Sequence, residues 1–283
     1  MSADDLTPMR QQYLEIKARY PDKIVLFRLG DFFEAFDDDA EIIARELEIA
    51  LTARATTRGQ RVPMAGVPCR AVESYIARLV ERGYHVVVVD QVEPPGKKLV
   101  RREVTRVITP GTIIDPTMLD QRQNNYLLAL APLKNQADES WARCGLAYAD
   151  ITTGEFAATE LNSESGETAL AVLEELARLK PREVILPKSW VERGITLPNG
   201  AYATPLPDHR FELGAAQSAL RSHFDVRTLD GFGLADKPLA ARAAGALLTY
   251  LRETHGGNLA QLTPCAPIPQ QATWCWTPTR AAI

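Results

Sequence analysis

The stretch Tyr84 to Val92, with the sequence YHVVVVDQV, decides the fold class of this chain. Four consecutive valines are typical of a β-strand that is buried on both faces, so we predict that this segment lies at the centre of a sheet. A helix with one apolar side precedes it from Ala71 to Arg82, and Gly83 is a natural end for that helix. A basic strand from Leu99 to Thr109 follows. The pattern predicts a domain in which strands and helices alternate.

The residues before this strand continue the same alternation. Thr7 and Pro8 can start a helix that ends before Pro21, and the apolar run Ile24 to Leu29, closed by a glycine turn, is typical of a strand. Asp38 to Ala50 returns to helical spacing. We therefore predict an α/β domain with a mixed sheet over the first part of the chain.

A second α/β domain is predicted after a polar linker at Pro116 to Asn125. Its Thr152-Thr153-Gly154 segment would join two strands as a hairpin. The predicted elements are three strands, a helix, a fourth strand and a long Ala/Leu helix, at Tyr126 to Ala131, Cys144 to Ile151, Glu155 to Leu161, Glu167 to Leu179, Glu183 to Leu186 and Leu234 to Thr254 respectively.

Composition limits the classes of protein to consider. With 283 residues, of which 46% are hydrophobic and 24% charged, the chain is long enough for two domains with packed cores. Its formal net charge of -4 does not indicate a nucleic-acid or membrane partner, so any anionic partner must be bound locally. The four cysteines show no CxxC spacing, which favours a reducing compartment and argues against zinc. No signal peptide or membrane span is predicted, and we expect a cytoplasmic protein.

Few residues point to catalysis. The sequence contains no Walker-type GxxxxGK[ST], GxGxxG, HExxH or GxSxG motif, and its four histidines are scattered. The acidic run that ends in Asp38 and Asp39 suits the cap and first turn of a helix better than a metal site. Asp150, on a strand, and Glu155, after a tight turn, are carboxylates that a metal-dependent nuclease could use, but a third acid is not evident. We predict no metal site.

The segment Phe27 to Phe36, with the sequence FRLGDFFEAF, places four phenylalanines within ten residues, just after a strand and a glycine turn. Core packing explains most such clusters, yet we expect at least one ring at this turn to be exposed. An exposed ring beside a carboxylate can stack on a nucleic-acid base while the carboxylate contacts the base edge. Two nearby basic stretches, Arg54 to Arg61 and Lys97 to Arg106, could contact phosphates.

Five motifs in register resemble the N-terminal part of the bacterial MutS family of DNA mismatch-repair sensors, and the similarity runs from about Met9 to Gln261. The motifs are Gly30 to Glu34 (GDFFE), Pro63 to Pro68 (PMAGVP), Arg101 to Val104 (RREV), Thr109 to Thr112 (TPGT) and Asp150 to Phe156 (DITTGEF). One departure is Cys69-Arg70, where many members of the family carry an aromatic residue and a histidine. The departure leaves the backbone contact of that loop undefined.

The resemblance implies three units: a mismatch-recognition domain over residues 1 to 116, an RNase H-like connector domain over 117 to 230, and the start of a helical core or lever domain over 231 to 283. It also implies that Phe32 intercalates beside a mispaired base from the minor groove and that Glu34 hydrogen-bonds that base. Arg58, Lys97 and Arg101 are our candidates for phosphate contacts. The expected partner is double-stranded DNA with mispairs or small loops, and the connector domain is a candidate site for other mismatch-repair proteins. Such a protein would be cytoplasmic and associated with the nucleoid.

The family's clamp and ATPase domains, which use ATP and magnesium, have no counterpart in this sequence. We therefore expect a protein that is not an enzyme, has no cofactor of its own and binds DNA weakly and in a salt-sensitive way. Two alternatives stay open. One is a partner-binding connector fragment without DNA discrimination, and the other is an RNase H-like metal-dependent nuclease that uses Asp150 and Glu155.

The last residues depart from the family pattern M-x-L-D-x-x-T-R-R-N, since the chain reads TWCWTPTRAAI from Thr273 to Ile283. Read one base earlier, the codons for Trp-Cys-Trp-Thr permit Met-Val-Leu-Asp, and the codons that follow permit Ala-Asn-Thr-Arg-Arg-Asn. We therefore expect a frame-shifted tail from about Trp274, caused either by a genuine truncation or by a sequencing error. Resequencing of the locus distinguishes these cases.

Overall fold

A computed structural model describes residues 7–55, 61–93, 100–113, 124–134, 141–162, 168–193, 197, 201–255, 259, 262 and 266–267. Within these residues the chain forms two six-stranded sheets and seven α-helices. This arrangement confirms the predicted α/β fold class. In the same residues, no helix combines the length and the apolarity that crossing a membrane requires. The predicted frame-shifted tail lies outside the described residues.

The first domain is built on a mixed sheet with the strand order β3-β4-β2-β1-β5-β6, in which β1 and β5 are parallel and the other neighbours are antiparallel. Its strands are β1 (Ile24–Leu29), β2 (Phe32–Phe36), β3 (Thr52–Ala55), β4 (Arg61–Pro68), β5 (Val86–Gln91) and β6 (Arg102–Ile108). Its helices are α1 (Pro8–Arg19), α2 (Asp37–Leu47) and α3 (Val72–Glu81).

Helices cover both faces of this sheet. Helices α2 and α3 pack on one face, where Ile43 and Ile76 join the buried side chains of the strands. Helix α1 packs on the other face, where the Tyr13 ring contacts Phe27 and Phe36 edge to face. The valines of β5 are therefore buried on both sides, as predicted, although β5 is next to the edge strand β6 and not at the centre of the sheet.

The starts of the first two helices differ in their chemistry. At α1 the prediction is confirmed, because the Thr7 hydroxyl accepts a hydrogen bond from the Arg10 backbone N–H at 3.3 Å. At α2 the acidic residues do occupy the first turn, but no side chain caps the helix. Asp39 is instead buried, and it accepts hydrogen bonds from the Lys17 ammonium at 2.8 Å and from the Val25 N–H at 3.0 Å. The predicted cap is wrong because this carboxylate links α1 and β1 to α2.

The second domain has the strand order β11-β10-β7-β8-β9-β12, with β7, β8 and β9 antiparallel and β10 parallel to both β7 and β11. This order agrees with the RNase H-like arrangement that the resemblance implies. The strands are β7 (Leu127–Lys134), β8 (Trp141–Asp150), β9 (Glu155–Asn162), β10 (Glu183–Pro187), β11 (Tyr202–Leu206) and β12 (Ala266–Pro267). The helices are α4 (Thr168–Leu179), α5 (Lys188–Val191), α6 (Leu213–Phe224) and α7 (Pro238–Thr254).

Helix α7, which we expected to open a third, helical unit, packs on the second sheet and shares its core. Two glycines let the backbones approach closely. A Cβ on Gly145 of β8 would lie 1.9 Å from the carbonyl oxygen of Leu239, and a Cβ on Gly245 would lie 2.4 Å from Ala216 of α6. Helix α7 begins at Pro238, four residues later than predicted, because Leu234 to Lys237 form a turn and Pro238 takes the first helical position.

The two domains meet at Glu183, a carboxylate with no solvent exposure at the start of β10. One oxygen, Oε2, accepts hydrogen bonds from the Thr109 hydroxyl at 2.6 Å and from the Gly111 N–H at 2.9 Å, both in the first domain. The other oxygen accepts from the Thr204 and Tyr250 hydroxyls, each at 2.7 Å, in the second domain. Because each carboxylate oxygen of Glu183 accepts two hydrogen bonds, this carboxylate can be buried at the interface between the domains.

Candidate nucleic-acid interface

The turn between β1 and β2 carries the phenylalanine that the sequence singled out. Leu29 pairs with Phe32, so the turn consists of Gly30 and Asp31, and Gly30 has the positive φ (64°) that a tight hairpin requires. Phe32 follows directly and is 45% exposed. The other three rings of the cluster are buried in the core of the first domain. The expectation that at least one ring is exposed is confirmed.

Hydrogen bonds and an ion pair hold this turn and the end of β1 that leads into it. Arg102 donates from Nε to the carbonyl oxygen of Arg28 at 2.7 Å, and the Arg28 guanidinium contacts Asp90 at 2.8 Å. On the opposite side, the Cys69 N–H donates to the carbonyl oxygen of Asp31 at 2.8 Å. Phe32 projects from a rigid support, as insertion between bases would require.

Glu34 lies on the same face of β2 as Phe32, because alternate residues of a strand share a face. Its cross-strand partner on β4 is Gly66. A Cβ on Gly66 would lie 3.0 Å from Cγ of Glu34 and 3.2 Å from the carbonyl oxygen of Phe33, so only glycine leaves the Glu34 side chain its present space. The structure thus brings the predicted wedge and the predicted base-contacting carboxylate together on one surface.

The Glu34 carboxylate is mostly shielded from solvent, with 17% of the side chain exposed. Burial raises its pKa above the ordinary value, because a low-dielectric environment disfavours the charged form. The guanidinium of Arg54, 3.6 Å away on β3, opposes this effect and lowers the pKa. The net shift is upward.

Of the three predicted phosphate contacts, Arg58 and Lys97 lie outside the described residues. Arg101 precedes β6, and its exposed guanidinium forms an ion pair with Glu103. It lies at the end of the sheet that carries the Gly30 turn, since the adjacent Arg102 bonds to β1 there. Its role as a phosphate contact stays a prediction.

Sequence reasoning did not single out Arg54, Gly66 or Glu183 as individual residues. Arg54 and Gly66 become recognisable only through the register of β2, β3 and β4, and strand β3 was not predicted. The lone glutamate that opens the apolar run Glu183 to Leu186 was a usable signal, because an acid at the start of a buried strand needs hydrogen-bond donors.

The two carboxylates considered for a nuclease have structural partners. Asp150 is fully buried and accepts hydrogen bonds from the Asn125 N–H at 3.0 Å and from the Thr152 N–H and hydroxyl at 2.8 and 2.6 Å. Glu155 accepts from two tyrosine hydroxyls, each at 2.9 Å. Within the described part of the chain, no group of three or more His, Cys, Asp or Glu side chains is arranged to hold a metal ion. This geometry favours a structural role for both acids.

Known protein families match both domains of the chain. The family model described as MutS domain I matches residues 7–117, and that of MutS domain II matches residues 125–263. The protein named DNA mismatch repair protein MutS from Dehalococcoides mccartyi (strain ATCC BAA-2266 / KCTC 15142 / 195) is 46% identical over 263 residues, covering 92% of this chain and 29% of that relative. The proteins of the same name from Symbiobacterium thermophilum and from Synechococcus sp. (strain JA-2-3B'a(2-13)) are also 46% identical, over 269 and 280 residues.

The alignments with these two relatives cover 92% and 94% of this chain but only 30% and 31% of the relatives. The chain therefore spans less than a third of the length of the curated relatives it matches. The order of its two domains, the motifs around Phe32 and these alignments agree, and the chain belongs to the MutS family, of which it corresponds to the N-terminal domains I and II.

Proposed function

We propose that the first domain binds double-stranded DNA at mispaired or unpaired bases and so serves DNA mismatch repair, the role that the names of its relatives carry. One observation supports this proposal most directly: Phe32 is the exposed member of a cluster of four phenylalanines and stands on a braced turn beside Glu34. An exposed aromatic ring costs solvation free energy that a stack with a base recovers.

In the proposed mechanism, the first domain recognises a mispair by how easily the duplex deforms. The edges of base pairs in the minor groove are degenerate, so a wedge that recognises many mispairs must sense unstacking and kinking instead of reading a sequence. A mispair lowers the cost of that deformation. Phe32 would insert beside the mispaired base while Glu34 accepts a hydrogen bond from it, and the negative charge of Glu34 disfavours fully paired DNA. No step of this mechanism requires a cofactor, and we propose that these domains are not catalytic.

Fluorescence anisotropy tests the proposal with a labelled duplex that carries a G·T mispair or an unpaired T, compared with its fully paired twin at low and moderate salt. We expect tighter binding to the defective duplex, with an affinity that falls as salt rises. Equal binding to both duplexes would instead support the alternative of a connector fragment that binds protein partners without discriminating DNA.

The Phe32→Ala variant separates the wedge from non-specific binding. Stacking of a base on an aromatic ring contributes about 1–3 kcal/mol, so the variant should lose its preference for mispaired DNA while binding to paired DNA changes little. Leu170→Ala is the matched control, because it removes an equally exposed apolar side chain from α4 in the second domain. Parallel loss of affinity for both duplexes in Phe32→Ala would contradict the wedge role.

A further inference from the structure

The register of the first sheet places Arg54 and Glu34 two strands apart, with β4 between them. Arg54 pairs with Val62, and Glu34 pairs with Gly66. Val62 and Gly66 are four residues apart on β4, so all of these side-chain positions share one face of the sheet. That face is the one from which Phe32 projects.

Gly66 has no side chain, so the Glu34 side chain can extend across β4. Cγ of Glu34 lies only 3.0 Å from the position that a Cβ on Gly66 would take, so the Glu34 side chain leans over β4 toward β3. Its Oε2 comes within 3.6 Å of Nη1 of Arg54. A Cβ at position 66 would therefore require the Glu34 side chain to shift by a few tenths of an ångström, and glycine leaves the present contact undisturbed.

The Glu34 carboxylate has little other stabilisation. Among the described residues, its Oε2 atom is buried and accepts no hydrogen bond, and the distance to Arg54 is longer than a hydrogen bond. The Arg54 side chain is 51% exposed, so its guanidinium can also be reached by a second anion. The ion pair thus partly offsets the charge of Glu34 through its buried oxygen Oε2.

We propose that Arg54 is a positioning residue for Glu34. Arg54 offsets the charge of the Glu34 carboxylate as DNA approaches. It also holds the Glu34 side chain over Gly66 until a mispaired base supplies a hydrogen bond. The inference rests on the proposed function. Without Arg54, an uncompensated carboxylate would face the phosphates of the duplex. Loss of Arg54 should then weaken DNA binding through Glu34, in addition to any phosphate contact that Arg54 itself makes.

A double-mutant cycle tests this coupling in the full chain. The affinity for the G·T duplex is measured for the native protein, Arg54→Gln, Glu34→Gln and the double variant. We expect Arg54→Gln to cost about two- to fivefold more affinity in the native background than in the Glu34→Gln background, the range typical of a partly exposed ion pair. Arg54→Lys, which keeps the charge, should restore most of the loss. Arg61→Gln is the matched control, because Arg61 is an exposed arginine on the same hairpin and forms no ion pair with Glu34 among the described residues. Whatever affinity this variant loses through a phosphate contact, the loss should be the same in both backgrounds.

A second measurement does not depend on DNA. An NMR titration of the Glu34 carboxyl carbon in the free protein should give a higher pKa in Arg54→Gln than in the native chain, because the opposing positive charge is gone. Equal losses in both backgrounds together with an unchanged Glu34 pKa would overturn the inference and leave Arg54 as a phosphate contact. If the native chain binds no DNA, the proposed function fails, and the NMR titration still decides whether Arg54 acts on Glu34.

Discussion

At the scale of single residues, the Glu34 carboxylate is set in an environment that raises its pKa above the ordinary value of 4.5. Between the ordinary and the raised pKa, the folded protein holds a proton that the unfolded chain releases. The free energy of unfolding therefore falls as pH rises through this window, and at neutral pH the ionised carboxylate destabilises the folded protein. A residue that we propose to contribute to recognition therefore costs stability, as polar groups at binding sites commonly do.

Glu34→Gln removes this ionisation, so we expect the variant to have a higher free energy of unfolding than the native chain at neutral pH. The difference should shrink as pH falls through the raised pKa of Glu34, because both side chains are then neutral. Urea unfolding at a series of pH values measures it. Glu103→Gln, at an exposed glutamate that is paired with Arg101, is the control and should change stability little. A Glu34→Gln variant less stable than the native chain at neutral pH would contradict the assigned environment.

At the scale of elements, the packing of α7 on α6 depends on Gly245. A Cβ there would lie 2.4 Å from Cα and 2.8 Å from the carbonyl oxygen of Ala216, and neither backbone atom can move without shifting α6. We expect Gly245→Ala to lower the free energy of unfolding by about 1–3 kcal/mol through overpacking. Gly214→Ala, in α6, is the matched control, because a Cβ there meets no atom within 4 Å. It should stabilise the helix by about 0.5–1 kcal/mol.

Urea unfolding followed by tryptophan fluorescence suits both glycine variants, since Trp141 and Trp190 pack against each other in the second domain. Equal stabilities of the Gly245→Ala and Gly214→Ala proteins would show that α6 and α7 tolerate a wider separation than the structure indicates.

At the scale of the whole molecule, Glu183 couples the two domains. Its buried carboxylate takes two donors from each domain, so replacing it leaves four donors without their acceptor. We expect Glu183→Ala to cost about 3–5 kcal/mol, as for other broken buried charge networks, and to let the domains unfold separately. Glu183→Gln keeps the shape and one acceptor oxygen, so its loss should be smaller.

Two spectroscopic signals measure whether the domains unfold together. The first 116 residues contain no tryptophan, so fluorescence reports on the rest of the chain, whereas far-UV circular dichroism reports on both domains. In the native chain, the urea unfolding transitions followed by fluorescence and by circular dichroism should coincide. In Glu183→Ala they should separate. Coincident transitions in that variant would mean that other contacts, such as the bond from the Tyr202 hydroxyl to the Glu81 carbonyl oxygen, suffice to couple the domains.

Local patterns in the sequence determined the elements and the exposed ring of the proposed wedge. The valine run of β5, the Thr7 cap with Pro8 and the glycine turn before Phe32 are local signals, because apolar periodicity and backbone preference act over a few residues. They were sufficient to predict the α/β class, most helices and strands, and an exposed ring near Phe32.

Only the tertiary structure decided which distant side chains meet. The position of β5 beside an edge strand, the contact of Arg54 with Glu34 across Gly66 and the four donors around Glu183 all depend on strand order and register. The same is true of α7, which the sequence predicted as a long Ala/Leu helix without indicating that the second sheet covers it. The hydrogen bonds around Glu183 join residues up to 74 positions apart. The energies of all these contacts arise from packing, dielectric environment and hydrogen-bond geometry that no short segment contains.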